Sequence, residues 1–258
     1  MRDDESACEP RTRIGLVGAG QMARALARGW RRPILCTDAG SGRAAKLVAE
    51  VGGEVVPDLA ALANRADIVV LCHKPTQLAA VARNIDGLTR AAVSVLSAVT
   101  LTELREAYSR TPVLRVAVNL PVEVRAGVIS LPPEQGVSPE LEAEVAQLFG
   151  QLGTMIRIPE PQMGAVISLA GVGPALLSVV AEAQADAAIR AGLSADLATM
   201  LASQTLIGTG ALLAARGHDT LALRRAVSSP GGLTARSLAA LEANGLRHAI
   251  SASFSSDD

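Results

Sequence analysis

Two glycines and a small residue near the start of the chain have the spacing of a phosphate-binding turn. Gly18, Gly20 and Ala23 form the pattern G-x-G-x-x-A between a short apolar run and a helix-like stretch. The first glycine permits a tight turn, the second lets the backbone approach a pyrophosphate, and the small third residue allows close helix packing. The amides of Gly20, Gln21 and Met22 would then face phosphates at a helix N-terminus. The pattern predicts a dinucleotide site, and a purely structural turn is the alternative.

A carboxylate stands where such sites recognise the adenosine ribose. Asp38 ends the second apolar run, 20 residues after Gly18. An acidic residue here usually bonds the ribose 2′-hydroxyl and repels a 2′-phosphate, which favours NADH. Ser41 and Arg43 in the following loop could instead grip a 2′-phosphate, and Asp38 could be a turn or N-cap residue. We therefore expect NAD(P)H as cofactor, with a slight preference for NADH.

Polar residues also follow two later apolar runs. His73, Lys74 and Pro75 come after the fourth predicted strand, at the carboxyl end where α/β sheets bind ligands. Lys46 and Lys74 are the only lysines of the chain, so a lysine at this place favours a cofactor contact over a solvated loop residue. Asn119 ends another run, which we expect at the same edge, and its amide could hold a ribose hydroxyl or a carboxamide. Turn formation is the alternative for Asn119.

A second glycine-rich loop lies near the C-terminus. It contains Ser229, Pro230, Gly231 and Gly232, followed by Thr234 at the start of a helix-like stretch. Backbone amides at a helix start form a nest that suits a carboxylate, and Thr234 adds a hydroxyl. Simple helix capping is the alternative, and the loop could do both.

The elements that must position these residues alternate between strand and helix in the first part of the chain. Such alternation builds a parallel sheet covered on both faces. The predicted strands cover residues 13–17, 34–37, 68–72, 92–96, 113–118, 128–131 and 154–158. The predicted helices cover residues 22–30, 42–51, 59–64, 77–85, 101–108 and 139–152. We therefore predict an α/β fold with an N-terminal Rossmann domain over residues 13–158, after a disordered lead-in over residues 1–12.

The rest of the chain is helical in pattern almost throughout. Several of its helices carry Ala, Leu and Ile on most faces, and a helix of this kind must be buried. We therefore expect residues 159–258 to form an all-α domain that makes a homodimer; a monomeric helical cap is the alternative. The candidate seam residues are Leu176, Val180, Leu201, Ile207 and Leu212.

Composition limits the remaining possibilities. The chain has 258 residues and a net charge of −1, so nothing favours a nucleic-acid partner, and an aromatic content of 2% argues against base stacking. Polar residues interrupt each apolar run before it reaches about 18 residues, which predicts no membrane span. Three scattered cysteines are too few for a disulfide framework or a metal site and are typical of a cytoplasmic protein with reduced thiols.

Several stretches, in order, resemble the pyrroline-5-carboxylate reductase family from residue 13 to about residue 247. The last of them is the most specific, being similar to the family's V-x-S-P-G-G-x-T. The stretches are I-G-L-V-G-A-G-Q-M-A (14–23), V-L-C-H-K-P (70–75), V-T-L (99–101), R-V-A-V-N-L-P (115–121), L-A-G-V-G-P (169–174) and V-S-S-P-G-G-L-T (227–234).

The resemblance implies an enzyme that reduces a cyclic imine, pyrroline-5-carboxylate, to proline with NAD(P)H. It also implies a helical domain that intertwines two chains, further assembly in some members, and an active site shared between one chain's cofactor and its partner's helical domain. The loop carrying Ser229, Gly231 and Gly232 would bind the substrate carboxylate, with the Thr234 hydroxyl at the ring nitrogen as the catalytic candidate. The family's Ser-Asn-Arg phosphate clamp after the second strand reads Thr37-Asp38-Ala39 in this chain. The loop at 73–75 would lie along the nicotinamide ribose, with His73 as a cofactor contact first and a proton source second.

The chain departs from the family pattern mainly at side chains expected in the pocket. The departures include Ala98, Ala117, Val118, Leu120, Val172, Leu176 and Arg225. They leave open a reductase for another cyclic imine, or a non-catalytic cofactor-binding homologue. A β-hydroxyacid dehydrogenase has a similar plan but uses a lysine in its helical half, and no lysine follows Lys74 here.

Overall fold

The computed structural model describes residues 12–254, so the predicted disordered lead-in lies outside the described residues except for Thr12. The chain forms two compact units that divide between Gly171 and Val172. This division comes later than residue 158, where the sequence predicts it. The reason is that Met163, at the start of the short helix α7 (Met163–Val166), is completely buried in the first unit.

Six parallel strands form the main sheet of the first unit, in the order β3-β2-β1-β4-β5-β6. The strands are β1 (Ile14–Val17), β2 (Ile34–Thr37), β3 (Gly53–Val55), β4 (Ile68–Leu71), β5 (Ala92–Ser94) and β6 (Val113–Arg115). This is the strand order of dinucleotide-binding Rossmann sheets, and it confirms the predicted fold class. The order reverses between β1 and β4, and sheets of this kind bind ligands at such a reversal, beyond the carboxyl ends of the strands.

Helices cover both faces of this sheet. Leu16 and Val17 are neighbours on β1 but lie in different apolar cores, because side chains alternate along a strand. Helices α1, α2 and α6 pack in the core of Leu16, and α3, α4 and α5 in the core of Val17. These helices are α1 (Gln21–Trp30), α2 (Arg43–Val51), α3 (Leu59–Arg65), α4 (Leu78–Ile85), α5 (Leu101–Ala107) and α6 (Pro139–Gly150).

Two differences from the predicted strands concern the edges of the sheets. Strand β3 was not predicted, because its residues are exposed and lack an apolar pattern. The predicted strand 113–118 splits at Val116, where the chain leaves the main sheet for a three-stranded sheet. That second sheet has the order β7-β8-β9, with β7 (Ala117–Val118), β8 (Gly127–Leu131) and β9 (Gly153–Arg157).

The second unit consists of helices. Within its described part only Ala185, Ala198 and Ala202 are buried, where α8 and α9 pack together. Its helices are α8 (Val172–Arg190), α9 (Ala195–Ala215), α10 (Thr220–Ala226), α11 (Leu233–Ala243) and α12 (Leu246–Ser253). Most of the seam candidates are exposed in the single chain, with Ile207 at 65% and Leu201 at 44%. The single chain therefore exposes a large apolar surface, and surfaces of this size mark interaction sites.

The sequence predicts no membrane span, but two helical stretches are long and apolar enough to cross a membrane by length and composition alone. The helical stretches Glu160–Arg190 and Ala195–Ala215 have mean hydropathies of 2.0 and 1.4 in their most apolar windows. Scattered polar residues do not lower these averages enough. Apolar helices that bury their faces in an oligomer pass the same test as membrane helices.

Candidate functional site

The turn after β1 contacts the chain at the carboxyl ends of both β2 and β4. Gly18 has a φ of +98°, and a Cβ atom on it would stand 2.9 Å from the backbone oxygen of Cys72. Its amide donates to the carbonyl oxygen of Thr37 at 2.8 Å. Glycine is required here both by the left-handed backbone and by the close approach. The predicted tight turn therefore lies at the point where the strand order reverses.

The N-terminus of α1 has room for an anion. Its N-cap is Gly20, which makes no side-chain cap hydrogen bond, and the first turn carries no acidic residue. A Cβ atom on Gly20 would meet nothing within 4 Å. Because the first amides of a helix have no intrahelical acceptor, those of Gln21 and Met22 suit a phosphate. These residues fit the pyrophosphate of a dinucleotide.

Asp38 lies at the same edge, directly after β2, and anchors the following loop. Its carboxylate accepts hydrogen bonds from the Gly40 amide at 2.9 Å, the Ser41 hydroxyl at 2.7 Å and the Ala44 amide at 3.0 Å. Desolvation opposes ionisation, but the hydrogen bonds outweigh it, led by that of Ser41, and the pKa of Asp38 is lowered. Asp38 is thus a fixed anion. It makes the turn contacts of the alternative interpretation from its position at the carboxyl end of β2.

The loop after β4 brings His73, Lys74 and Pro75 to the neighbouring position. His73 Nδ1 lies 2.9 Å from the carbonyl oxygen of Lys74, so Nδ1 carries the proton and donates it. Nε2 is then an acceptor, and it is buried without a partner among the described residues. Burial lowers the pKa of His73, which makes the imidazole neutral near pH 7. This arrangement disfavours His73 as a proton source. Lys74 is exposed, and Pro75 opens the 3₁₀ turn Pro75–Gln77.

The second glycine-rich loop lies in the helical unit, before α11. Gly231 has a φ of +69°, and the Gly232 amide donates to the Ser229 carbonyl at 3.1 Å, as in a turn with Pro230 and Gly231 at its centre. A Cβ atom on Gly232 would stand 2.3 Å from Ser229 Oγ, so this position also requires glycine. Gly232 is the N-cap of α11, without a side-chain cap or an acidic first turn. Thr234 follows in the first turn of the helix.

One detail of this loop differs from the prediction. The Gly232 amide is used within the turn, so the amides available at the start of α11 belong to Leu233, Thr234 and Ala235. Within residues 12–254 the Thr234 hydroxyl has no hydrogen bond to protein. A carboxylate bound at this helix start would therefore meet an amide and a hydroxyl of the same residue, which fits the predicted role of the loop.

Comparison with known proteins covers both of these regions. The family model "Pyrroline-5-carboxylate reductase dimerisation" matches residues 160–256, and "NADP oxidoreductase coenzyme F420-dependent" matches residues 13–100. A pyrroline-5-carboxylate reductase of Methanosarcina acetivorans is 31% identical over 249 residues, covering 92% of each chain. The chain belongs to the pyrroline-5-carboxylate reductase family. The predicted family is thereby confirmed.

Solved structures of the family share the fold. A pyrroline-5-carboxylate reductase from Coxiella burnetii has a TM-score of 0.81 at 26% identity, covering 95% of each chain. The Plasmodium falciparum pyrroline carboxylate reductase, solved with NADP bound, has a TM-score of 0.83 at 24% identity, also covering 95% of each chain. The order of a Rossmann sheet and a helical domain is therefore that of the pyrroline-5-carboxylate reductase family.

Asn119 is placed differently from the expectation. It follows β7 in the three-stranded sheet and not a strand of the main sheet. Its amide nitrogen donates to the carbonyl oxygen of Ala170 at 3.0 Å, and its amide oxygen accepts from the Val128 amide at 2.7 Å. Asn119 is also buried. In this family member it thus fastens the π-helical turn Ile167–Gly171 to the second sheet, a structural role that the sequence did not indicate.

Two further residues border the candidate sites without having been predicted. Arg236 donates from Nη1 to the carbonyl oxygen of Gly231 at 3.1 Å and so places a positive charge beside the loop before α11. Ser228 Oγ, in the same loop, is buried without a hydrogen-bond partner among the described residues. In the sequence, the position of Arg236 one helical turn after the loop could have indicated that it contacts the loop. Among the described residues, no group of three or more His, Cys, Asp or Glu side chains could hold a metal ion.

Proposed function

We propose that this chain reduces pyrroline-5-carboxylate to proline with NAD(P)H. The observation that carries the proposal is the match to a pyrroline-5-carboxylate reductase over 92% of both chains, which includes the turn at Gly18 and the loop before α11. In the balanced reaction the imine carbon gains a hydride, the ring nitrogen gains a proton, and NAD(P)⁺ is released. The reduced nicotinamide, when bound, supplies the hydride.

The proposed cofactor residues belong to the carboxyl edge of the main sheet and its neighbouring loops. Gly18 sets the turn, and Gly20 leaves the amides of α1 open to the pyrophosphate. Asp38 faces the adenosine ribose from the end of β2. The remaining proposed contacts are Gln21, Met22, Thr37, His73, Lys74, Pro75 and Asn119. Of these, Asn119 has the least support, because both of its polar groups already bond protein.

The proposed substrate residues are Ser229, Gly231, Gly232 and Thr234. The start of α11 offers unpaired amides and no competing acidic side chain, which suits a carboxylate. Thr234 is proposed to hold the ring nitrogen with its hydroxyl and thereby orient the C=N bond. A protonated imine is already electrophilic, so the reaction needs orientation and exclusion of water more than a strong acid. This agrees with a neutral, buried His73.

We also propose a cytoplasmic homodimer, open to further assembly, that associates through its helical half without a membrane. The support is the dimerisation family model over residues 160–256 and the scarcity of buried residues in the described part of the second unit. Exposed apolar residues on α8 and α9 would be buried by a second copy. That burial would account for the apolar helices Glu160–Arg190 and Ala195–Ala215 without lipid.

A second candidate is the reduction of a different, more apolar cyclic imine. Leu120 and Val172, which stand in place of a Thr and a Ser in the family pattern, are 47% and 45% exposed in the single chain and are free to contact a ligand. The test is consumption of NADH and NADPH with a panel of cyclic imines, with the amine product identified. Turnover restricted to a substrate other than pyrroline-5-carboxylate would support this candidate. Cofactor binding without any turnover would indicate a non-catalytic homologue.

A further inference from the structure

We propose that Asp38 makes this chain select NADH over NADPH, because its carboxylate occupies the hydrogen-bond donors that a 2′-phosphate would need. The inference rests on the proposed function, since it presumes that a dinucleotide binds at the Gly18 turn. It goes further by fixing which of the two cofactors is used and by naming the residue responsible.

The donors around Asp38 form a small anion site that the protein fills itself. The amides of Gly40 and Ala44 and the hydroxyl of Ser41 all point at the carboxylate, at 2.9, 3.0 and 2.7 Å. Backbone amides in a loop and at the start of a helix, together with a serine hydroxyl, are the groups that commonly bind phosphate. With Asp38 in place, a 2′-phosphate finds these donors already used.

Ser41 and Arg43 are the residues that could have favoured NADPH, and both are turned toward Asp38. The Ser41 hydroxyl gives its only proton to Asp38 Oδ2 and accepts a hydrogen bond from Arg43 Nε at 3.0 Å. Ser41 therefore has no proton left for a phosphate oxygen. The Arg43 side chain is exposed and contacts this cluster through Ser41.

The carboxylate keeps an acceptor position for a ribose hydroxyl. Oδ2 accepts two hydrogen bonds, from Ser41 and Ala44, whereas Oδ1 accepts one among the described residues, from Gly40. A carboxylate oxygen has two lone pairs, so Oδ1 can accept one more hydrogen bond. The loop residues Ala39 and Gly40 are exposed, which leaves the approach open. An uncharged ribose hydroxyl thus fits, whereas a phosphate brings a like charge next to Asp38.

The experiment measures the dissociation constants of NADH and NADPH for the full chain by the fluorescence of the reduced nicotinamide. We expect NADH to bind at least about tenfold more tightly, the factor that one close pair of like charges supplies near a protein surface. In Asp38→Ala the three donors become free, so NADPH binding should improve and NADH binding weaken until the preference reverses. Asp38→Asn keeps the side-chain shape and should also remove the preference for NADH. It serves as the test variant if Asp38→Ala fails to fold.

Asp58 provides a matched control. It also follows a strand and caps a helix, accepting from the Ala61 amide at 2.8 Å, but it precedes α3 and is remote from the Gly18 turn in sequence. Asp58→Ala should leave the ratio of the NADH and NADPH dissociation constants unchanged. Arg43→Ala should keep the preference for NADH over NADPH that the original chain shows.

The inference would be overturned by tighter binding of NADPH by the unaltered chain, by an unchanged ratio in both Asp38 variants, or by a loss of NADPH binding alone in Arg43→Ala. Equal binding of the two cofactors by the unaltered chain would also overturn it while leaving the proposed reductase intact. If neither cofactor binds, the proposed function itself fails together with this inference.

Discussion

Gly18 and Cys72 approach each other so closely that a Cβ atom on Gly18 would stand 2.9 Å from the Cys72 carbonyl oxygen. Gly18→Ala should therefore strain the backbone, which has a φ of +98°, and push the turn away from β4. We expect a loss of stability of about 1–3 kcal/mol together with weaker cofactor binding. Thermal unfolding and NADH titration measure the two effects.

Gly20→Ala separates the turn's structural role from binding. The backbone of Gly20 has a φ of −76°, and an added Cβ meets nothing within 4 Å of the protein. The melting temperature should stay within a degree or two, whereas NADH affinity should fall about tenfold or more, because the methyl group enters the space of the pyrophosphate. Unchanged affinity in Gly20→Ala would contradict the placement of phosphates at α1.

Thr234 is expected to act on the substrate and not on the cofactor. Thr234→Val keeps the side-chain shape but removes the hydroxyl, so kcat/KM for the imine should fall about 10–100-fold while NADH affinity stays the same. Thr234→Ser should retain most of the activity. Steady-state kinetics with a cofactor titration tests this, and a Thr234→Val variant as active as the original chain would remove Thr234 from the mechanism.

The apolar surface of α9 should hold the oligomer together. Ile207 is 65% exposed in the single chain, so Ile207→Glu should place a charge in the interface and produce monomers. Val124→Glu is the matched control, because Val124 is 69% exposed but belongs to the first unit. Light scattering after gel filtration gives the mass of each variant. A dimer that persists in Ile207→Glu would place the interface elsewhere.

Asp86 should make the first unit sensitive to acid. This carboxylate is buried and accepts from the amides of Ser109, Arg110 and Thr111 and from the Ser109 hydroxyl. Desolvation opposes ionisation, but these hydrogen bonds outweigh it and lower the pKa of Asp86. Its stabilisation is therefore full above the unfolded pKa of about 3.9 and is lost as the pH falls through the lower folded value.

Asp86→Asn tests this dependence. The variant should be less stable by about 1–3 kcal/mol at pH 7, because it replaces an ionised acceptor by an amide that presents N–H groups to donors. The difference between the urea midpoints of the original chain and of Asp86→Asn should shrink as the pH is lowered toward 3. A difference that is constant across this range would show that the charge of Asp86 does not contribute.

Local sequence signals predicted most of the fold, and long-range pairing explains what they missed. Apolar runs in the sequence predict the buried strands, and the glycine spacing predicts the turn at Gly18. Strand β3 is exposed and short, so no pattern marks it. Val116 lies inside the stretch 113–118, which is predicted as one strand, yet the chain changes sheets there, which depends on partners distant in sequence.

The same distinction applies to the candidate sites. Gly231 and Gly232 form the predicted turn, because turn chemistry is local. By contrast, the amide of Asn119 bonds Ala170, 51 residues away, and sequence spacing gives no sign of this. The lowered pKa of His73 likewise depends on desolvation by burial, which the sequence does not reveal. Side-chain partners of this kind could be found only from the three-dimensional structure.

The most direct test of the central claim is the oxidation of NADH or NADPH by the purified chain in the presence of pyrroline-5-carboxylate, with proline measured as product. We predict that absorbance at the nicotinamide band falls only when both cofactor and imine are present, and that one proline forms for each cofactor consumed. Cofactor binding without proline formation, at any concentration of pyrroline-5-carboxylate, would contradict the account.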